Sequence, residues 1–118
     1  ADEKNVEFDL AAFGMVGFET ALPLVITNLV TRGILSIEDI VMKMCYNPSK
    51  ILSLNKGVIE EGRMADITIF DANEEQVINI NNFKSKSKNS PFNGFKLKGV
   101  VYHTIVNGKP VVREKVLL

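Results

Sequence analysis

The apolar positions of the chain change period near Leu54. Before that point they recur at helical spacing. Leu22, Val25, Ile26, Leu29 and Val30 fall at i, i+3, i+4, i+7 and i+8, one face of an α-helix. Thr20 is placed to cap this helix, Pro23 is tolerable within a first turn, and Gly33 ends it. Ser36, with Asp39 three residues on, makes an aspartate version of a capping box. The second helix that it opens carries Ile37, Ile40, Val41, Met44 and Cys45 on its apolar face. Asn47-Pro48 predicts a short third helix, with Asn47 as cap, Pro48 at the first helical position, and Ile51 and Leu52 packing inward.

Beyond Leu54 the pattern becomes that of strands. Asp66 to Asp71 reads as a short β run with apolar residues on both faces, and Gln76 to Ile80 as a weaker one. Gly99 to Val106 and Lys109 to Val112 flank Asn107-Gly108, a hairpin signal because both residues tolerate positive φ. Pro110 has no N–H to donate, which predicts a free edge there. Asn81 to Asn93 is polar and lysine-rich and contains Pro91, so it reads as a loop. The fold class expected is α+β, with three helices and an incomplete antiparallel sheet.

Composition narrows the partners more than the fold. Fourteen basic side chains balance fourteen acidic ones, so no electrostatic argument draws the chain to nucleic acid or an anionic membrane. Ala21 to Val30, the longest strongly apolar stretch, falls short of the roughly 20 residues that a membrane span requires. One cysteine, Cys45, excludes an internal disulfide and suits a reducing cytosol, so a cytoplasmic setting is expected.

The residues offer little chemistry of their own. A metal site needs several converging ligands, and the chain has one histidine, His103, in the middle of a predicted strand. Cys45 lies on an apolar helix face, where a core thiol is the expectation. Gly14-Met15-Val16-Gly17 lacks the lysine and the spacing of a phosphate loop. Read alone, Gly14 and Gly17 shape the turn before the first helix, and Glu19 sits where a helix dipole favours a carboxylate.

Ala12-Phe13-Gly14-Met15-Val16-Gly17-Phe18-Glu19-Thr20-Ala21-Leu22-Pro23-Leu24 resembles a segment of the bacterial dihydroorotases, a group of cyclic amidohydrolases. Ala12 stands where that group often has proline. Further pieces follow in the same order: Asn47 to Leu52, Gly57 to Gly62 with Ala65 to Asp71, Ser85 to Gly94, and Thr104 to Lys109. The strand pair and hairpin are shared with hydantoinases and allantoinases. Glu19-Thr20-Ala21 after Phe13-Gly14 is the dihydroorotase form.

The resemblance implies the last helices of a (β/α)8 amidohydrolase barrel over residues 1–54, then an incomplete antiparallel β-sandwich over 55–118. It implies zinc-dependent interconversion of N-carbamoyl-L-aspartate and dihydroorotate, with the Phe13 and Gly14 main chain contacting the small-molecule substrate. No catalytic or metal-binding residue is expected in the chain itself, and no zinc bound to it. Ala1-Asp2-Glu3-Lys4 resembles residues just past the family's D-H-A-P-H motif, so a truncated and inactive piece is expected, with the metal ligands upstream. A homo-oligomer is expected, because the Leu22 to Val30 helix is apolar around more than half its circumference. Another cyclic amidohydrolase (an allantoinase or a hydantoinase) and a catalytically dead scaffold subunit stay open as alternatives.

Overall fold

A computed structural model describes residues 6–118. Helices occupy the first half and a four-stranded antiparallel sheet the second, in the strand order β1-β2-β3-β4. The α+β expectation is met at this level. The strands are β1 (Ile67–Val77), β2 (Lys96–Val106), β3 (Lys109–Arg113) and β4 (Val116–Leu117).

The first helix, α1 (Phe18–Val25), begins earlier than the pattern predicts. Gly17 is its cap, and Thr20 is a fully buried first-turn residue whose hydroxyl donates to the Gly17 carbonyl at 3.2 Å. Pro23 therefore lies past the first turn, buried, and withholds an N–H from the helical ladder. The helix runs on as a wider π-type segment, Ile26–Val30, and ends at Gly33 with φ +68°. The Gly33 and Ile34 N–H groups close that end onto the Val30 and Leu29 carbonyls.

The second and third helices fuse. α2 (Ile37–Val41) opens with the predicted box: the Asp39 N–H donates to Ser36 Oγ at 3.1 Å, and the Ser36 N–H to Asp39 Oδ2 at 2.9 Å. A π-type segment, Met42–Tyr46, leads directly into α3 (Asn47–Ile51). Asn47 is thus helical instead of a cap. Its N–H bonds to the Met42 carbonyl, a widened turn just where the Pro48 ring would crowd the preceding turn of a regular helix. Ile51 and Leu52 are 80% and 66% exposed, and Cys45 is exposed too, against the inward packing expected of them. The run is approached instead by the Gly57 turn. A Cβ on Gly57 would lie 2.8 Å from Ser49 Oγ and 2.9 Å from the Cys45 carbonyl. That contact uses the Ser49 side and leaves the apolar stripe open.

The two short strands expected at 66–71 and 76–80 are one strand, β1, bent by a bulge between Asp71 and Glu75. Asp71 Oδ1 accepts from the Asn73 and Glu74 N–H groups there, at 2.7 and 3.2 Å. The hairpin at Asn107-Gly108 forms as predicted, with φ +50° and +75°. A second tight turn, Glu114-Lys115, takes φ +50° and +69° and folds β4 onto β3. Lys115 Nζ donates to Glu74 Oε1 at 2.6 Å and Tyr102 Oη to Glu74 Oε2 at 2.5 Å, tying that turn to β1 and β2. The β4 pairing covers Val112 and Arg113, so Pro110 lies beyond it, at the edge that its missing N–H predicted.

Helix and sheet meet at Gly99. This buried β2 residue, φ +99°, lies opposite the β1 bulge, and its carbonyl accepts from Gln76 Nε2 at 2.7 Å. A Cβ there would sit 3.2 Å from Ile26 Cγ1 and 3.4 Å from Pro23 Cα. Ile26 is 1% exposed, and next to it Thr27 Oγ1 accepts from the Lys98 N–H at 2.7 Å. Burying one isoleucine contributes about 1.5–3 kcal/mol, and here it requires a residue without a side chain on the strand. Gly99→Ala is expected to lower the urea midpoint clearly more than Gly62→Ala. Gly62 has a similar φ of +79° with nothing within 4 Å of its Cβ position, so it loses only the backbone term of roughly 1 kcal/mol. Equal losses would mean that the contact at Gly99 is not tight.

Candidate functional site

The residues before α1 form an exposed loop that a second loop, 84–94, holds from below. The Phe13 ring is fully exposed, and Gly14 takes φ +99° with nothing within 4 Å of its Cβ position. This is backbone that a side chain would strain, on an open surface. The Gly14 carbonyl accepts from Asn89 Nδ2 at 2.8 Å. Two residues on, the Val16 N–H donates to the Asn89 carbonyl at 2.9 Å. One asparagine thus holds the turn at two points.

A third tie is made from the start of α1. Glu19 Oε2 accepts from the Lys84 N–H at 2.9 Å, and Oε1 from the Ser85 N–H at 3.0 Å and the Ser85 hydroxyl at 2.8 Å. The lysine-rich segment read from sequence as a loop has its Lys84, Lys86 and Lys88 exposed and is laced to Glu19 through Lys84 and Ser85. Lys88 Nζ donates to the Phe83 carbonyl and adds positive charge near Glu19. Asn79 and Asn93 side chains close the loop at its base by accepting from the Asn81 and Ile80 N–H groups.

Phe13 and Gly14, the residues singled out for substrate contact, therefore stand together at the open end of this arrangement. Glu19, Ser85 and Asn89 complete it and were not singled out as a group. The resemblance covered the segments that hold them, but nothing in residue type or spacing says that two stretches about 70 positions apart touch (Asn89 to Gly14 spans 75). His103 lies elsewhere, on β2 opposite Ile69, where its Nδ1 accepts from the Glu114 N–H at 3.4 Å. Among the described residues no three His, Cys, Asp or Glu side chains converge on a point that could hold a metal ion. No helix among them is long and apolar enough to cross a membrane. The resemblance noted for Ala1 to Lys4 lies outside the described residues.

Partial burial works to raise the Glu19 pKa. The Lys84 and Ser85 N–H groups, the Ser85 hydroxyl and the Lys88 charge outweigh it and hold the carboxyl below the ordinary glutamate value. A folded-state pKa below the unfolded one contributes stability that is fully present above the unfolded value. That contribution is lost as pH falls through the lowered folded value. Glu19→Gln is expected to lower the urea midpoint at neutral pH and to flatten the acid limb of its pH profile. Superposable profiles for the two proteins would contradict the clamp.

The sequence profile described as the amidohydrolase family matches residues 5–111. A curated dihydroorotase of Acetivibrio thermocellus is 71% identical over 118 residues, all of this chain and 28% of the relative. One from Ruminiclostridium cellulolyticum is 63% identical over 117 residues, 99% of this chain and 27% of the relative. The chain thus spans little more than a quarter of the length of these relatives. Among solved structures, the L-hydantoinase of Arthrobacter aurescens superposes with a TM-score of 0.86 at 35% identity, over 92% of this chain and 25% of that one. A D-hydantoinase from Thermus sp. gives 0.86 at 26% identity, over 94% and 25%. With the family profile spanning nearly the whole sequence, this chain belongs to the amidohydrolase family.

Proposed function

We propose that the intact protein is a dihydroorotase, interconverting N-carbamoyl-L-aspartate and dihydroorotate in pyrimidine biosynthesis, and that this chain supplies one wall of its substrate pocket. The observation that carries the reading is the 71% identity to a curated dihydroorotase, sustained over every residue of the chain. The hydantoinase structures share the fold at 35% identity or less, which favours the dihydroorotase over the hydantoinase reading. An allantoinase and a catalytically dead scaffold remain the alternatives to be tested.

In this reading residues 1–54 form the last part of a (β/α)8 barrel, whose substrate sites gather at one end of the strands. Residues 55–118 form part of a small β-sandwich. The Phe13 and Gly14 main chain contacts the cyclic amide, and a glycine at φ +99° with open space over it lets a ligand approach the backbone. The reading takes the family's zinc as the cofactor. The donors described here do not fit a zinc site, so the metal ligands belong to other parts of the intact protein and no catalytic step is assigned to this chain. Its role is positioning, which contributes much of the rate in such enzymes. A cytoplasmic homo-oligomer is the proposed assembly. The exposed Ile51, Leu52 and Ile59 side chains are what barrel neighbours or a second copy would cover.

Two measurements check this. The intact protein is expected to hydrolyse dihydroorotate in preference to hydantoins and allantoin. Gly14→Val is expected to raise KM about tenfold or more, since a misplaced pocket wall costs at least that, with metal content unchanged. Parental constants in that variant would remove Gly14 from the pocket, and a preference for hydantoins would replace the reaction. The 118-residue chain alone is expected to show no turnover and no stoichiometric zinc by elemental analysis, and to self-associate in light scattering. Tight zinc with turnover would overturn the division of labour proposed here.

A further inference from the structure

The Gly14 carbonyl is occupied by the Asn89 side-chain amide at 2.8 Å, and the Val16 N–H by the Asn89 carbonyl at 2.9 Å. These bonds hold the two peptides on either side of Met15, Gly14–Met15 through its C=O and Met15–Val16 through its N–H. A trans peptide carries its C=O and N–H on opposite sides. With the Gly14 oxygen anchored against the lower loop, the Met15 N–H is turned away from that loop. At φ +99° and with open space over it, Gly14 has no side-chain packing of its own to set this peptide plane. Glycine is the residue least able to fix its own backbone, and the Asn89 bond supplies an external hold on this peptide.

We propose that Asn89 is a positioning residue for the substrate loop: its side-chain amide orients the Gly14–Met15 peptide and its carbonyl holds the next one, Met15–Val16, so that the Phe13-Gly14-Met15 main chain offers a ligand one fixed set of polar groups. The proposal rests on the reading of Phe13 and Gly14 as substrate contacts. Glu19 performs a coarser task, holding the loop as a whole through Lys84 and Ser85, whereas Asn89 acts on the two peptides that flank Met15. An aspartate at position 89 would keep the shape and the Val16 bond but set a carboxylate oxygen against the Gly14 carbonyl. The two acceptors would repel, and the peptide would be free to rotate.

The test uses Asn89→Asp in the intact protein, with the exposed neighbour Lys86→Ala as control. Asn89→Asp is expected to raise KM for dihydroorotate about fivefold or more, the equivalent of one neutral hydrogen bond. Its thermal midpoint and metal content stay at parental values, and Lys86→Ala behaves as the parent. In the 118-residue chain, amide hydrogen exchange at Met15 and Val16 is expected to be faster with Asn89→Asp. A parental KM overturns the proposal whatever the exchange rates. A raised KM accompanied by a lowered midpoint or lost metal also overturns it, because the residue would then serve stability alone. If the unsubstituted protein does not act on dihydroorotate, the proposed reaction fails instead, and the exchange rates at Met15 and Val16 decide the role of Asn89 by themselves.

Discussion

Everything else in this chain depends on how closely the first helix can approach β2. Gly99 supplies the absent side chain, Ile26 fills the space, and Thr27 takes the Lys98 N–H. The β1 bulge belongs to the same constraint. It lies opposite Gly99 and brings Gln76 round to the Gly99 carbonyl, so a strand that must bend at this point still has its backbone satisfied. The core is small, with Ile26, Ile40, Ile78, Leu97 and Val100 buried, and a methyl group added at Gly99 would lie 3.2 Å from Ile26 Cγ1. Relieving that contact requires Ile26 or Pro23 to give way by a few tenths of an ångström, and close-packed interiors transmit such strain.

The loop arrangement follows from that seat. Once α1 lies on β2, its first turn is carried to the loop that enters β2 from the other side. Glu19 can then reach Lys84 and Ser85, and the turn before α1 can reach Asn89. Two segments far apart in sequence become one exposed surface. It is built from main-chain groups, the Ser85 and Asn89 side chains and the Glu19 carboxylate with Lys88 near it.

Local signals in the sequence were the ones that carried through. The Ser36–Asp39 box, the Asn107-Gly108 turn and the Gly33 helix end each depend on one or two residues with a strong conformational preference. The misplaced features depended on competition. Thr20 has the chemistry of a cap, but it is fully buried within the first turn, its hydroxyl on the Gly17 carbonyl, and the helix starts at Gly17. Asn47-Pro48 has the spelling of a helix start, yet a widened turn lets the chain pass the proline without stopping. Glu114-Lys115 has no turn spelling at all and is held in place by Glu74. The inward packing expected of Cys45, Ile51 and Leu52 failed because periodicity identifies an apolar face without identifying what covers it. Phe13 and Gly14 stood out only through the family resemblance, and the lacing by Glu19 and Asn89 needed the tertiary contact.

The seat of α1 at Gly99 can be observed directly by nuclear magnetic resonance on the 118-residue chain. The account predicts nuclear Overhauser contacts between the Ile26 side chain and the Gly99 α-protons, and between Thr27 and the Lys98 amide. It also predicts contacts from the Asn89 side-chain amide to Gly14, since the seat is what brings the loops together. Loop contacts at Asn89 in the absence of those at Gly99 would contradict it, because the two loops would then associate without the helix that is held to unite them.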